Sequence, residues 1–163
     1  MQQQSVRLAD AAATKRLGLA LALRWLKWQG PKPVLLLEGN LGAGKTCLVQ
    51  GIALGLEIDE PITSPTFSLS QHYRGKAGYL AHLDLYRLDL PSSADEIFFQ
   101  EEEEANNLDA MIAVEWPERL SFKPRNSWQI SLRILELDRP EIGREAIIDH
   151  YFCKNVRTSD SSG

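Results

Sequence analysis

The sequence has little that would place it in a bilayer, stabilise it by cross-links or attach it to a nucleic acid backbone. No apolar run approaches the roughly 20 residues that span a membrane, and the start Met1-Gln2-Gln3-Gln4 lacks the basic and hydrophobic regions of a signal peptide. These absences predict a cytoplasmic protein with no membrane contact. Only two cysteines occur, Cys47 and Cys153, without the clustered spacing of a metal site, so structural zinc and a disulfide are both disfavoured. Lys and Arg number 18 against 22 Asp and Glu, a formal net charge of −4, and four acids run together at Glu101-Glu102-Glu103-Glu104. That balance argues against strong unaided binding to RNA or DNA.

What is present suits one compact domain. The chain has 163 residues, 44% hydrophobic and 25% charged, the composition of an ordinary globular protein. The expected domain covers residues 1–157, and the Ser- and Asp-rich tail 158–163 is expected to be disordered. No internal repeat is visible.

Ser5 to Leu8 reads as a short edge strand. Asp10 is a helix N-cap candidate, and Leu17, Leu21 and Trp25 at spacing four give the following helix one apolar face that ends by Gly30-Pro31. Pro33 to Glu38 is an apolar run suited to a buried parallel strand, and a second helix runs from Lys45 to about Gly55. Thr66 to Tyr73 and Gly78 to Leu85 read as two strands of a hairpin through Gly75. An acidic helix spans Pro91 to Glu104, with Ser92 and Ser93 as possible caps. Met111 to Glu115 is a strand, and Ser127 to Leu137 and Glu145 to Tyr151 are two more, separated by Pro140 to Gly143. The fold class that follows is α/β: a three-layer phosphate-loop domain with a mixed, partly parallel sheet.

Between the first apolar strand and its helix lies Gly39-Asn40-Leu41-Gly42-Ala43-Gly44-Lys45-Thr46, the pattern Gly-x-x-x-x-Gly-Lys-Thr. Glycines let backbone N–H groups turn inward around phosphate oxygens, and the helix N-terminus adds a favourable dipole. The pattern predicts ATP and Mg2+ as ligands, with Lys45 on the β and γ phosphates and the Thr46 hydroxyl on magnesium. Chance would produce the pattern in roughly one chain in a few hundred of this length, and its place directly after an apolar strand and before a helix weighs strongly against chance. Cys47, next in the helix, reads as a small packed residue in preference to a redox switch, since free cysteines are so often simply buried.

Two further stretches carry polar groups at strand positions. In Gly78 to Arg87, period two places His82, Asp84 and Tyr86 on one face and Ala81, Leu83 and Leu85 on the other. An active-site strand and a solvated edge give the same alternation, and Asp84 with Arg87 would also make a structural ion pair. Ile112-Ala113-Val114-Glu115 ends a second apolar strand in a carboxylate, which makes Glu115 the candidate for the magnesium contact that such enzymes take from a second strand. Trp116 beside it is positioned either to pack or to meet nucleotide.

The loop, Ser64-Pro65-Thr66-Phe67 with His82-Leu83-Asp84-Leu85-Tyr86-Arg87, and Val114-Glu115-Trp116-Pro117-Glu118 together resemble the TsaE family, also called YjeE. These are small bacterial ATPases required for threonylcarbamoyladenosine in tRNA. The three blocks span about residues 10 to 120, with a weaker echo at Gly143-Arg144-Glu145-Ala146. The resemblance implies that Thr46 and Glu115 hold magnesium, that Ser64 to Thr66 switches near the γ phosphate, and that Asp84 supports hydrolysis. It also implies that Thr14 and Arg144 lie on the adenine side. TsaB and TsaD are the implied partners, with tRNA met only through their complex and turnover slow without them. Asn40 stands where the family often has Asp, Cys47 where it often has a second Thr, and the acidic stretch Phe98 to Asp109 departs from the family pattern.

Two other classes remain compatible with the residues. A small-molecule kinase would use Asp84 as the base that accepts a hydroxyl proton and Arg87 on the acceptor, though no multi-arginine lid is visible. A nucleotide-switched binding module would use the same loop without significant catalysis. A GTPase is disfavoured, since no Asn-Lys-x-Asp or Thr-Lys-x-Asp segment occurs.

Overall fold

A computed structural model describes residues 3–65 and 67–152. Thr66, Cys153 and the tail 158–163 therefore lie outside the described residues. The strands are β1 (Gln4–Leu8), β2 (Val34–Glu38), β3 (Ser70–Arg74), β4 (Tyr79–Asp84), β5 (Met111–Glu115), β6 (Asn126–Ile134) and β7 (Arg144–Phe152). The helices are α1 (Ala11–Leu26), α2 (Lys45–Gly55) and α3 (Pro91–Leu108). All seven strands join one sheet in the order β1-β7-β6-β2-β5-β4-β3. Its centre, β6-β2-β5-β4, is parallel, while β1, β7 and β3 attach antiparallel.

Strand β2 reads Val-Leu-Leu-Leu-Glu with its first four residues buried. A run apolar on both faces is what a strand needs when helices cover the sheet from both sides. Side chains alternate accordingly. Leu35 and Leu37 pack with α1 and α2, together with Leu80, Met111, Ala113 and Trp128. Val34 and Leu36 face α3 through Ala81, Leu83, Ile112, Val114 and Phe98. The expected three-layer, partly parallel α/β architecture is the one observed.

Helix α1 starts where expected: the Asp10 carboxylate accepts from the Ala13 N–H at 2.8 Å, satisfying an N–H that would otherwise lack a partner at the helix start. It then lies very close to α2. A Cβ on Gly18 would stand 2.2 Å from the Leu48 carbonyl, and one on Gly51 2.1 Å from the Lys15 carbonyl. Two glycines thus seat α1 against the helix that carries the loop.

Several boundaries differ from expectation. Helix α3 runs on to Leu108, and its N-cap is Leu90 with no side-chain cap, not Ser92 or Ser93. Pro91 occupies the first helical turn, where its missing N–H costs nothing and its fixed φ favours the helix. The acidic stretch belongs to this helix, whose buried face steps through Ala94, Phe98, Glu101 and Ala105. Strand β3 begins at Ser70, after a turn in which Leu69 has φ 64°. Strand β6 stops at Ile134, three residues before Leu137.

Candidate active site

The carboxyl ends of β2, β4 and β5 lie side by side, because Leu37 pairs with Glu115 and Glu115 with Asp84. Such strand ends are where open α/β sheets gather ligands. Parity puts Glu115 on the face of Met111 and Ala113, and Asp84 on that of Leu80, so both carboxylates face the α1–α2 layer. Strand β4 is therefore no solvated edge. His82 is 0% and Asp84 6% exposed, and β3 covers the outer edge of β4.

The glycine-rich loop arches over these ends. Gly44, immediately before α2, has φ 108°, a conformation that L side chains rarely adopt. It also leaves Arg144 and Thr14 close beside the loop, 3.6 and 3.8 Å from where a Cβ would stand. Arg144 Nη2 donates to the Gly42 carbonyl at 3.0 Å. Thr14 is 2% exposed and its hydroxyl donates to the Asp10 carbonyl at 3.4 Å. Asn40 is exposed, its carbonyl accepting from the Ala43 N–H at 3.0 Å. The Cys47 thiol donates to the Ala11 carbonyl at 3.5 Å and is half-exposed.

Lys45 folds back into the loop. Its ammonium donates to the Gly39 carbonyl and lies 3.9 Å from the Trp116 ring centroid. Burial holds its pKa below the usual lysine value, opposed by the negative charges of Glu115, Glu118 and Asp84. Trp116 itself adopts φ 60°, and its N–H reaches the Leu37 carbonyl at 3.3 Å. Tyr86 packs on the indole with ring centroids 4.8 Å apart.

Thr46 and Glu115 come together although 69 residues apart: Thr46 Oγ1 lies 3.3 Å from each carboxylate oxygen. Adjacent ligands of an octahedral magnesium ion, each about 2.1 Å from it, stand about 3 Å apart. A hydroxyl beside a carboxylate is the hard oxygen set that ion prefers. Asp84 accepts from the Ser64 hydroxyl at 2.7 Å and from the Tyr86 N–H at 3.0 Å. The ion pair with Arg87 that the sequence offered as an alternative does not form among the described residues. Arg87 instead lies over the Phe67 ring, 4.4 Å from its centroid.

A cavity of about 390 Å³ opens over this ground, bounded by the loop from Leu41 to Cys47 and by Ser64, Asp84, Glu115 and Trp116. Larger hollows of about 630 and 580 Å³ involve Lys32 and Tyr79, and Val34 and Ala110, near the amino ends of the strands. They lie away from the loop. Of the residues singled out in the sequence, Leu41 to Thr46 of the loop, Cys47, Asp84, Glu115 and Trp116 line the smaller cavity, whereas Gly39 and Asn40 do not; Thr14 and Arg144 flank the loop behind Gly44, and Thr66 lies outside the described residues. Sequence reasoning gave His82 no role, yet its Nε2 is 2.6 Å from Glu115 Oε2. An imidazole in a strand otherwise apolar up to Asp84 was the available signal.

Comparison with known proteins gives a consistent picture. The family model described as "Threonylcarbamoyl adenosine biosynthesis protein TsaE" matches residues 8–142. The chain is 43% identical to the tRNA threonylcarbamoyladenosine biosynthesis protein TsaE of Nostoc sp., over 93% of this chain and 89% of that protein. It is 30% identical to that of Bacillus subtilis, over 99% and 98%. The crystal structure of Bacillus subtilis YdiB superposes with a TM-score of 0.64 at 28% identity, covering 90% of this chain and 84% of that one.

Proposed function

The chain belongs to the TsaE family, and from that premise we propose that it is a magnesium-dependent ATPase serving threonylcarbamoyladenosine formation on tRNA. The observation that carries the proposal is the meeting of Thr46 with Glu115 at 3.3 Å directly beneath the glycine-rich loop. Residues 1–157 act as one nucleotide-binding domain.

The N–H groups from Gly39 to Cys47 and the α2 dipole receive the phosphates. Lys45 leaves the Gly39 carbonyl and turns to the β and γ phosphates, releasing the face of Trp116. Thr46 and Glu115 hold magnesium, which offsets the charge that develops on the phosphate oxygens. Thr14 and Arg144 bound the adenine side of the loop. Asp84 orients the attacking water. Its bond to Ser64 couples that carboxylate to the segment through Thr66, which ATP orders and hydrolysis releases.

TsaB and TsaD are the partners of this reading, and the cytoplasm its compartment; no helix among the described residues is long and apolar enough to cross a membrane. The net charge of −4 suits a protein that meets tRNA only through such a complex. Cells that depend on this chain test the proposal. Lys45→Ala should deplete threonylcarbamoyladenosine from their tRNA, measured by mass spectrometry of nucleosides, and unchanged levels would refute it.

A further inference from the structure

We infer that His82 is a positioning residue, which fixes the Glu115 carboxylate in the orientation that serves a cation shared with Thr46. The inference rests on the magnesium–ATP reading above. His82 is 0% exposed and sits two residues before Asp84 on the same face of β4. Its opposite number across the parallel pair is Ala113, a small residue that leaves the ring room to reach diagonally to Glu115.

Burying an imidazole is unfavourable unless its polar atoms are matched. Nε2 is matched, at 2.6 Å from Glu115 Oε2, while the buried Nδ1 has no hydrogen-bond partner. The tautomer follows from that asymmetry: a proton on Nε2 is donated to the carboxylate, and Nδ1 keeps only an unused lone pair. The reverse assignment would face a lone pair to an anion and bury an unmatched N–H, which is the more costly arrangement.

The ring therefore has one polar task, holding Glu115. Glu115 sits at 3% exposure, with its neighbouring carboxylate, Asp84, bonded to Ser64 instead. With Oε2 held by His82, Oε1 and the remaining lone pairs stay directed to the Thr46 hydroxyl. Hydrogen-bond partners of ligating groups typically change metal affinity by about 10- to 100-fold when removed.

The test compares His82→Met, which keeps volume and removes the donor, with His82→Gln, whose amide nitrogen can stand in for Nε2. Mn2+ uptake by the full chain with a non-hydrolysable ATP analogue is followed by electron paramagnetic resonance. Analogue affinity is measured separately in EDTA. We expect His82→Met to weaken Mn2+ binding about 10- to 100-fold, with EDTA-measured affinity within twofold and His82→Gln recovering most of the loss. Wild-type Mn2+ affinity in folded His82→Met would overturn the inference. So would parallel loss of both affinities in Met and Gln variants alike, the signature of packing alone. Failure of the unmodified chain to take up Mn2+ with nucleotide would instead sink the parent reading, and this inference with it.

Discussion

Replacing Lys45 by Met removes the one ammonium group lining the loop cavity while keeping most of the buried stem, and the magnitude of the effect follows from what Lys45 must give up. Two charge-assisted bonds to phosphate oxygens contribute about 1.5–3 kcal/mol each. Against them stand the bond to the Gly39 carbonyl, of the same class, and the contact with Trp116 at 3.9 Å, worth about 0.5–2 kcal/mol. The net is about 1 kcal/mol, or roughly a fivefold loss of ATP affinity at about 1.4 kcal/mol per decade. Calorimetric titration also tests the electrostatics. Burial lowers the Lys45 pKa in the free protein, so charged Lys45 disfavours the folded state; the stability that this costs is present in full above the ordinary lysine pKa and is lost as pH falls through the lowered one. Phosphates raise the pKa again. ATP binding should therefore take up protons in the alkaline window between the free and bound values, and affinity should fall as pH rises through it. Titrations in buffers of different ionisation enthalpy read that uptake. Equal uptake in Lys45→Met, or undiminished affinity, would refute this account of Lys45.

Gly44→Ala forces a Cβ onto φ 108° and toward Arg144 at 3.6 Å. It should cost about 1–2 kcal/mol, seen as a Tm lowered by about 2–8 °C together with weakened ATP binding. Asp84→Asn keeps the size of the group that accepts from Ser64 and Tyr86 but discharges it. Phosphate release should fall about 100-fold while ATP affinity, by fluorescence titration, stays within a few-fold. Phe98→Ala empties a site 1% exposed between α3 and the sheet. Denaturant unfolding should report a loss of about 3–5 kcal/mol, with ATP binding by the folded fraction unchanged.

The sheet was legible where burial on both sides left a simple pattern. Val34 to Glu38 and Met111 to Glu115 are apolar runs that end in carboxylates, and the glycine loop after the first marks its carboxyl end. Asp10 was readable as a cap because its partner, the Ala13 N–H, is three residues away. Helix α3 was harder. Glu101 lies on its buried face at 7% exposure, held by the Ser70 hydroxyl and by His72 from β3, so a charged residue interrupts the apolar period. Ser92 and Ser93 looked like caps, but the proline before them had already set the first turn. Partners distant in sequence were not legible at all. Neither the approach of His82 to Glu115 nor the bond from Ser64 to Asp84 follows from spacing, because each depends on which strands become neighbours.

Coupling of ATP hydrolysis to the partners is read from phosphate release by the purified chain, alone and with TsaB plus TsaD. Release should be slow alone, rise clearly with both partners and lose that rise in Lys45→Ala. Release that stays at background with the partners present, or rapid turnover indifferent to them, would contradict that coupling.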